Sequence, residues 1–127
     1  MKYLVEEYLD KQDRASFSVW FNQLDPHAAA KVAVARYRLE LGNFSNVKSV
    51  GSGVYEYKMD FGPGYRIYFG QDGKELIILL GGGTKKRQQS DIKIAKERWD
   101  EYKKRKKEKK NFLNLVRSED YGFNKRL

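Results

Sequence analysis

Hydrophobic and polar positions follow two rhythms along this chain, and the switch between them sets the predicted elements. Between residues 2 and 9, Tyr3, Val5 and Glu7 alternate with Leu4, Glu6 and Tyr8, the period of a strand. After a polar break at residues 11–14, Phe17, Trp20, Phe21 and Leu24 recur at i, i+3, i+4 and i+7, one face of a helix over 15–24. Asp25-Pro26 then places an N-cap residue directly before a proline at the first helical position. The helix it opens carries Ala29, Val32, Ala33, Arg36 and Leu39 along one side, and Gly42-Asn43 ends it as a left-handed cap.

The second half turns to period two. Tyr55, Tyr57, Met59 and Phe61 face one way, and Val54, Glu56, Lys58 and Asp60 the other. Gly62-Pro63-Gly64 reads as a turn, residues 65–69 as the next strand and Gln71-Asp72-Gly73 as a further hairpin turn. Residues 76–80 are apolar without alternation, which predicts a central strand buried on both faces. From about Gln89 a helix uses Ile92, Ala95, Trp99 and Tyr102 as its inner stripe. Residues 103–110 lack apolar partners and read as a solvated helical extension or a disordered tail, and 111–127 carry a faint amphipathic pattern (Phe112, Leu113, Leu115, Val116). The order β-α-α-β-β-β-α predicts an α+β fold, with a small antiparallel sheet covered by an N-terminal helical hairpin and a C-terminal helix.

Charge changes this picture more than length does. At 127 residues the chain has the size of one domain with one modest core. Its net charge of +9 is unevenly placed: residues 1–83 balance acids against bases, whereas residues 84–110 hold 13 Lys/Arg against 5 Asp/Glu. A neutral body with a cationic C-terminal segment points to an anionic partner. Without cysteine, and with a single histidine, neither a disulfide framework nor a thiolate or multi-His metal site is expected. The acidic start MKYLVEEYLD is unlike a signal peptide, and no run approaches the ~20 apolar residues a membrane span requires. A cytoplasmic protein without a cofactor is the expectation.

Three groups of polar residues carry candidate chemistry. Lys58 and Arg66 lie near one another across the hairpin around Gly62-Pro63-Gly64. With Arg87 they make a cationic cluster for phosphate oxygens, unless Glu56 and Asp60 simply pair with them as surface charges. The triplet Lys85-Lys86-Arg87 follows Gly81-Gly82-Gly83 at the mouth of the last helix, where cations oppose the macrodipole and imply a bound anion. The glycines themselves read as a strand-to-helix exit, and the spacing is not that of a nucleotide P-loop. The tract at 103–110 is either a nucleic-acid contact or a solvated face. His27 reads as an exposed bystander, and the tyrosines and Phe69 of the strands as core and sheet face.

The blocks GNFSNVKSVGSGVYEYKMDFGPGYRIYFG and LIILLGGGTKKRQQSDIKIAKERW resemble the RelE/ParE superfamily of type II toxins, in particular the addiction-module killer branch with its HigB-like neighbours. The resemblance spans about residues 3–104, implying a toxin domain over 1–104 and a basic extension over 105–127. It implies an mRNA endoribonuclease acting on the ribosome, in which a ribose 2′-OH attacks the adjacent phosphate. Carried over by position, Lys58 matches the base, Arg66 the arginine of a Tyr-Arg pair and Arg87 the arginine at the helix mouth. Two positions depart: Glu56 stands where a second lysine is expected, and Asp91 where a tyrosine is. Both carboxylates join the candidate catalytic set, and Lys48, Lys85, Lys86, Lys103 and Lys104 form the candidate RNA-binding set. Implied partners are mRNA, the ribosome and a cognate helix-turn-helix antitoxin. A gyrase inhibitor without nuclease activity is the alternative on the same fold.

Overall fold

The computed structural model describes residues 2–126, with side-chain surroundings through residue 118; the end of the 105–127 extension lies outside the described residues. Strand β1 (Leu4–Glu7) is followed by helices α1 (Ser16–Phe21) and α2 (Pro26–Glu40). Four further strands come next: β2 (Val47–Gly51), β3 (Val54–Lys58), β4 (Tyr65–Asp72) and β5 (Leu76–Thr84). A 3-10 turn (Lys85–Arg87) leads into α3 (Gln88–Arg126).

The fold is α+β, as the hydrophobic pattern predicts. The sheet is mixed rather than wholly antiparallel, because its order is β1-β5-β4-β3-β2 and β1 pairs parallel with β5 (Leu4 opposite Leu76). The helical hairpin carries the chain from β1 at one edge to β2 at the other, where it runs opposite to β1; three antiparallel hairpin steps then bring β5 back beside β1 in the same direction. β2 is an element the pattern does not foresee. The 71–73 turn also shifts: β4 runs on to Asp72, and the hairpin closes at Gly73 and the two residues after it.

Each face of the sheet builds a core. On one side Phe17 of α1 and Val32, Ala35 and Leu39 of α2 pack on Tyr57, Ile67, Phe69, Ile77 and Leu79. On the other, Ala95 and Trp99 of α3 pack on Tyr8, Val54, Tyr68, Ile78 and Leu80. The predicted double burial of β5 follows, because Ile77 and Leu79 face one layer and Ile78 and Leu80 the other. Full burial of each such aliphatic side chain stabilises the fold by roughly 1.5–3 kcal/mol. Asp25 caps α2 by accepting from the Ala28 amide at 3.0 Å, as its position before Pro26 implies. The buried stripe of α2 is Ala28, Val32, Ala35 and Leu39, and Ala33 is exposed, so the inner face is rotated from the predicted one.

The triple glycine is part of β5, not a flexible exit. Gly82 lies under the Trp20 indole, so close that a Cβ there would come within 2.3 Å of the ring, and Gly83 lies under the Asp91 carboxylate, where a Cβ would sit 1.9 Å from Oδ2. Both helices therefore touch the sheet at backbone distance. Farther along, Asp72 accepts from Tyr102 (2.6 Å) and Lys106 (2.5 Å), which holds its carboxyl below the usual range. This clamp ties α3 down just past its last apolar contact; side chains from 107 to 118 are exposed.

Candidate phosphate site at the start of the third helix

Register places Glu56 opposite Tyr68 and Lys58 opposite Arg66 on the α3 side of the β3–β4 ladder, with Lys48 opposite Glu56 on β2. The start of α3 covers this patch and buries charge. Glu56 is 0% and Arg66 3% exposed. Glu56 Oε1 lies 3.7 Å from Arg66 Nε and 3.8 Å from Lys48 Nζ, and Oε2 accepts from the Gln88 side chain at 2.9 Å. The Arg66 guanidinium also donates to the Gly64 carbonyl, which fastens the β3–β4 turn. Lys85 N–H donates to the Pro63 carbonyl at 3.3 Å and binds that turn to the 3-10 turn.

Four buried polar atoms in this patch lack a hydrogen-bond partner: Glu56 Oε1, Arg66 Nε, the Tyr68 hydroxyl and Asp91 Oδ2. Burial, reinforced by Glu56, pushes the Tyr68 hydroxyl well up. Burial also raises Asp91, although Arg87 and Arg98 pull it down. Removing a charged group from water favours its neutral form, so Asp91 is an acid poised to hold a proton higher into the pH range than an ordinary carboxyl.

Around this buried patch stands a ring of exposed cations. Lys58 is half-exposed and pairs with Asp60 at 3.4 Å, and Lys85, Lys86 and Arg87 are exposed on the 3-10 turn. The triplet stands before α3 rather than within it, and Asp91 supplies the acidic first-turn residue that the helix dipole favours. The structure thus gathers Lys48, Glu56, Lys58, Arg66, Lys85, Lys86, Arg87 and Asp91 at one end of the sheet. Lys103 and Lys104 are not part of it: they lie roughly 22 Å farther along α3 at 1.5 Å per residue. Lys103 there pairs with Asp100 at 3.8 Å and covers the Trp99 ring. Sequence reasoning missed Gln88 and Tyr68; only the i, i+2 alignment of Arg66 with Tyr68 signals the latter. His27 is exposed against the Phe61 ring, as expected of a bystander.

A small mixed sheet packed between a helical hairpin and a long C-terminal helix is consistent with a small toxin-like fold. More particularly, residues 19–111 match the model of the family described as phage derived protein Gp49-like (DUF891), and the chain belongs to that family, within the RelE/HigB-like toxin superfamily. A protein of Haemophilus influenzae (strain KW20 / Rd), named only as uncharacterized, is 43% identical over 82 residues, covering 64% of this chain and 83% of its own. Membership implies a cognate antitoxin partner. Among the described residues no helix is long and apolar enough to cross a membrane.

Proposed function

We propose that this protein is the toxin of a type II pair and an endoribonuclease that cleaves mRNA on the ribosome. The observation that carries the reading is the register of Lys58 against Arg66, ringed by Lys85, Lys86 and Arg87 at one end of the sheet. Lys58 takes the proton of a ribose 2′-OH. The 2′ oxygen bonds to the adjacent phosphorus, and the bond to the 5′ oxygen breaks. Arg87 faces the charge that develops on the phosphorane, and the buried Arg66 adds its positive charge from within the patch. Asp91, with its raised pKa, delivers the proton to the leaving 5′ oxygen, and Glu56 holds Arg66 in place. Lys48, Lys85 and Lys86 supply backbone contacts, with Lys103 and Lys104 extending the track along α3. The cognate antitoxin is a helix-turn-helix protein.

The test is inducible expression with primer-extension mapping of transcript ends. Cuts within codons that vanish when translation initiation is blocked are expected, and Arg87→Ala relieves growth arrest while circular dichroism remains that of the parent. If Arg87→Ala and Lys58→Ala both stay toxic and gyrase-cleaved DNA accumulates, the nuclease reading falls and the gyrase-inhibitor alternative replaces it.

A further inference from the structure

Strand β5 outruns its neighbour β1. The two pair only from Leu76 to Leu79; the Tyr8 N–H then donates to the Leu79 carbonyl at 2.9 Å, and the chain turns away at the Leu9–Ala15 bridge. Gly81 and Gly82 therefore have a strand neighbour on the β4 side alone, opposite Tyr68 and Ile67. Their open edge floors a cleft of about 190 Å³ between α1 and α3. Glycine lets both helices reach this floor. A Cβ at Gly81 would come within 2.7 Å of the Arg98 guanidinium, which donates to the Leu80 carbonyl at 2.8 Å, and one at Gly82 would strike the Trp20 ring.

The walls are aromatic and polar. α1 brings the Trp20 indole, the Ser16 hydroxyl and the Gln23 amide; α3 brings Arg98 and, at the end nearest Arg87, Asp91. Tyr68 closes the inner end, 1% exposed and with a hydroxyl that lacks a hydrogen-bond partner. The cleft is smaller than the roughly 300 Å³ of a site that encloses a whole drug-sized ligand. It has room for one planar ring system. Hydroxyl and amide groups that both donate and accept suit a neutral ring with a polar edge better than a phosphate or an aliphatic side chain.

We propose that this cleft receives the base of the nucleotide on the 3′ side of the cut, held against Trp20 and read along its edge by Gln23, Ser16 and Tyr68. The assignment to that nucleotide rests on the nuclease reading, in which Asp91 passes its proton to the leaving 5′ oxygen. The nucleoside that carries this oxygen stands next to the cleft, and Asp91 takes no part in reading its base. Unpaired RNA bases are held in this manner, on aromatic side chains and by hydrogen bonds to their edges. The phosphates stay with the exposed cations outside, so the cleft governs which base follows the cut rather than whether RNA binds.

The probe is a dinucleotide that carries a 2′-O-methyl group on its first ribose and cannot be cut, compared with the same molecule made abasic at its second position. NMR resolves the indole N–H signals of Trp20 and Trp99. The intact dinucleotide is expected to shift Trp20 and leave Trp99 in place, and the abasic one to bind at least tenfold more weakly without shifting Trp20. Gln23→Ala and Ser16→Ala each narrow that difference; in cells Gln23→Ala keeps growth arrest and broadens the choice of base after the mapped cuts. Equal binding of the two dinucleotides, or a shift at Trp99 alone, overturns the proposal. Cut transcripts together with equal binding leave the nuclease reading standing and remove the base cleft. Uncut transcripts together with a base-dependent shift at Trp20 keep the cleft and remove the nuclease.

Discussion

Removing either member of the Glu56–Arg66 pair tests whether burial or pairing governs this patch. Both side chains are almost wholly out of water, and they meet at 3.7 Å without a hydrogen bond between Nε and Oε1. Breaking a buried pair by deleting one partner costs about 3–5 kcal/mol, because the survivor stays charged and dry. The survivors differ here. Without Arg66, Glu56 keeps the Gln88 amide and Lys48; without Glu56, Arg66 keeps only the Gly64 carbonyl. Glu56→Leu therefore falls at about 4 kcal/mol and Arg66→Met at about 3 kcal/mol, whereas the double variant, which leaves no stranded charge, costs about 2 kcal/mol or less. Urea unfolding followed by the fluorescence of Trp20 and Trp99 measures all three, with an unchanged slope as the check that the transition is the same. The expected coupling is about 5 kcal/mol, far above the ~0.5 kcal/mol scatter of independent sites. Additive single costs, or a Glu56→Leu cost below about 1 kcal/mol, would refute the reasoning that the patch is dry.

Two further outcomes follow from the same geometry. Because Asp91 is raised, its contribution to stability is fully present below the ordinary carboxylate value of about 3.9 and is lost as pH rises through its folded pKa. Asp91→Asn is thus nearly neutral to thermal unfolding at pH 4 and stabilising at pH 7; a difference that shrinks with rising pH would sink the assignment. Gly82→Ala drives a Cβ to 2.3 Å from the Trp20 ring and costs about 1–3 kcal/mol, with a shifted indole emission maximum. An unchanged Tm and spectrum would mean that the α1–β5 approach is looser than described.

The pattern of apolar positions was sufficient for elements with strong periodicity and failed where burial is set from outside the segment. α1 and the inner stripe of α3 were legible because aromatic and aliphatic side chains recur at helical spacing. β2 was not: Val47 and Val50 are three apart, Lys48 and Ser49 intervene, and a bulge near Gly51 breaks the alternation of an edge strand. The α2 stripe was misplaced because alanines at 28, 29, 30, 33 and 35 carry almost no hydrophobic signal, so the neighbours decide which of them face inward. Lys58, Arg66 and the basic triplet were brought to one end of the sheet as their order along the chain suggests. The burial of Glu56 and Arg66 had no local signature, because a charged residue on an alternating strand reads as solvent-facing until a distant helix covers it. Nor could Gly82 and Gly83 be told from a loop, since their role lies in what Trp20 and Asp91 place above them.

The parallel pairing of β1 with β5 imposes an order on how the chain assembles. Strands β2 to β5 are joined by short turns and zip as successive hairpins with little loop entropy to overcome. Leu4 has no partner until Leu76 exists, so β1 leaves the ribosome well before β5 and is among the last of these strands to find its place. During synthesis the helical hairpin waits beside an unfinished sheet, its Phe17 and Leu39 lacking most of the surface they will cover. Completion of the hydrophobic layer and placement of β1 are then one event. Mutations at Leu76 or Ile77 should accordingly slow folding through the N-terminus, some seventy residues away, as much as through their own neighbours.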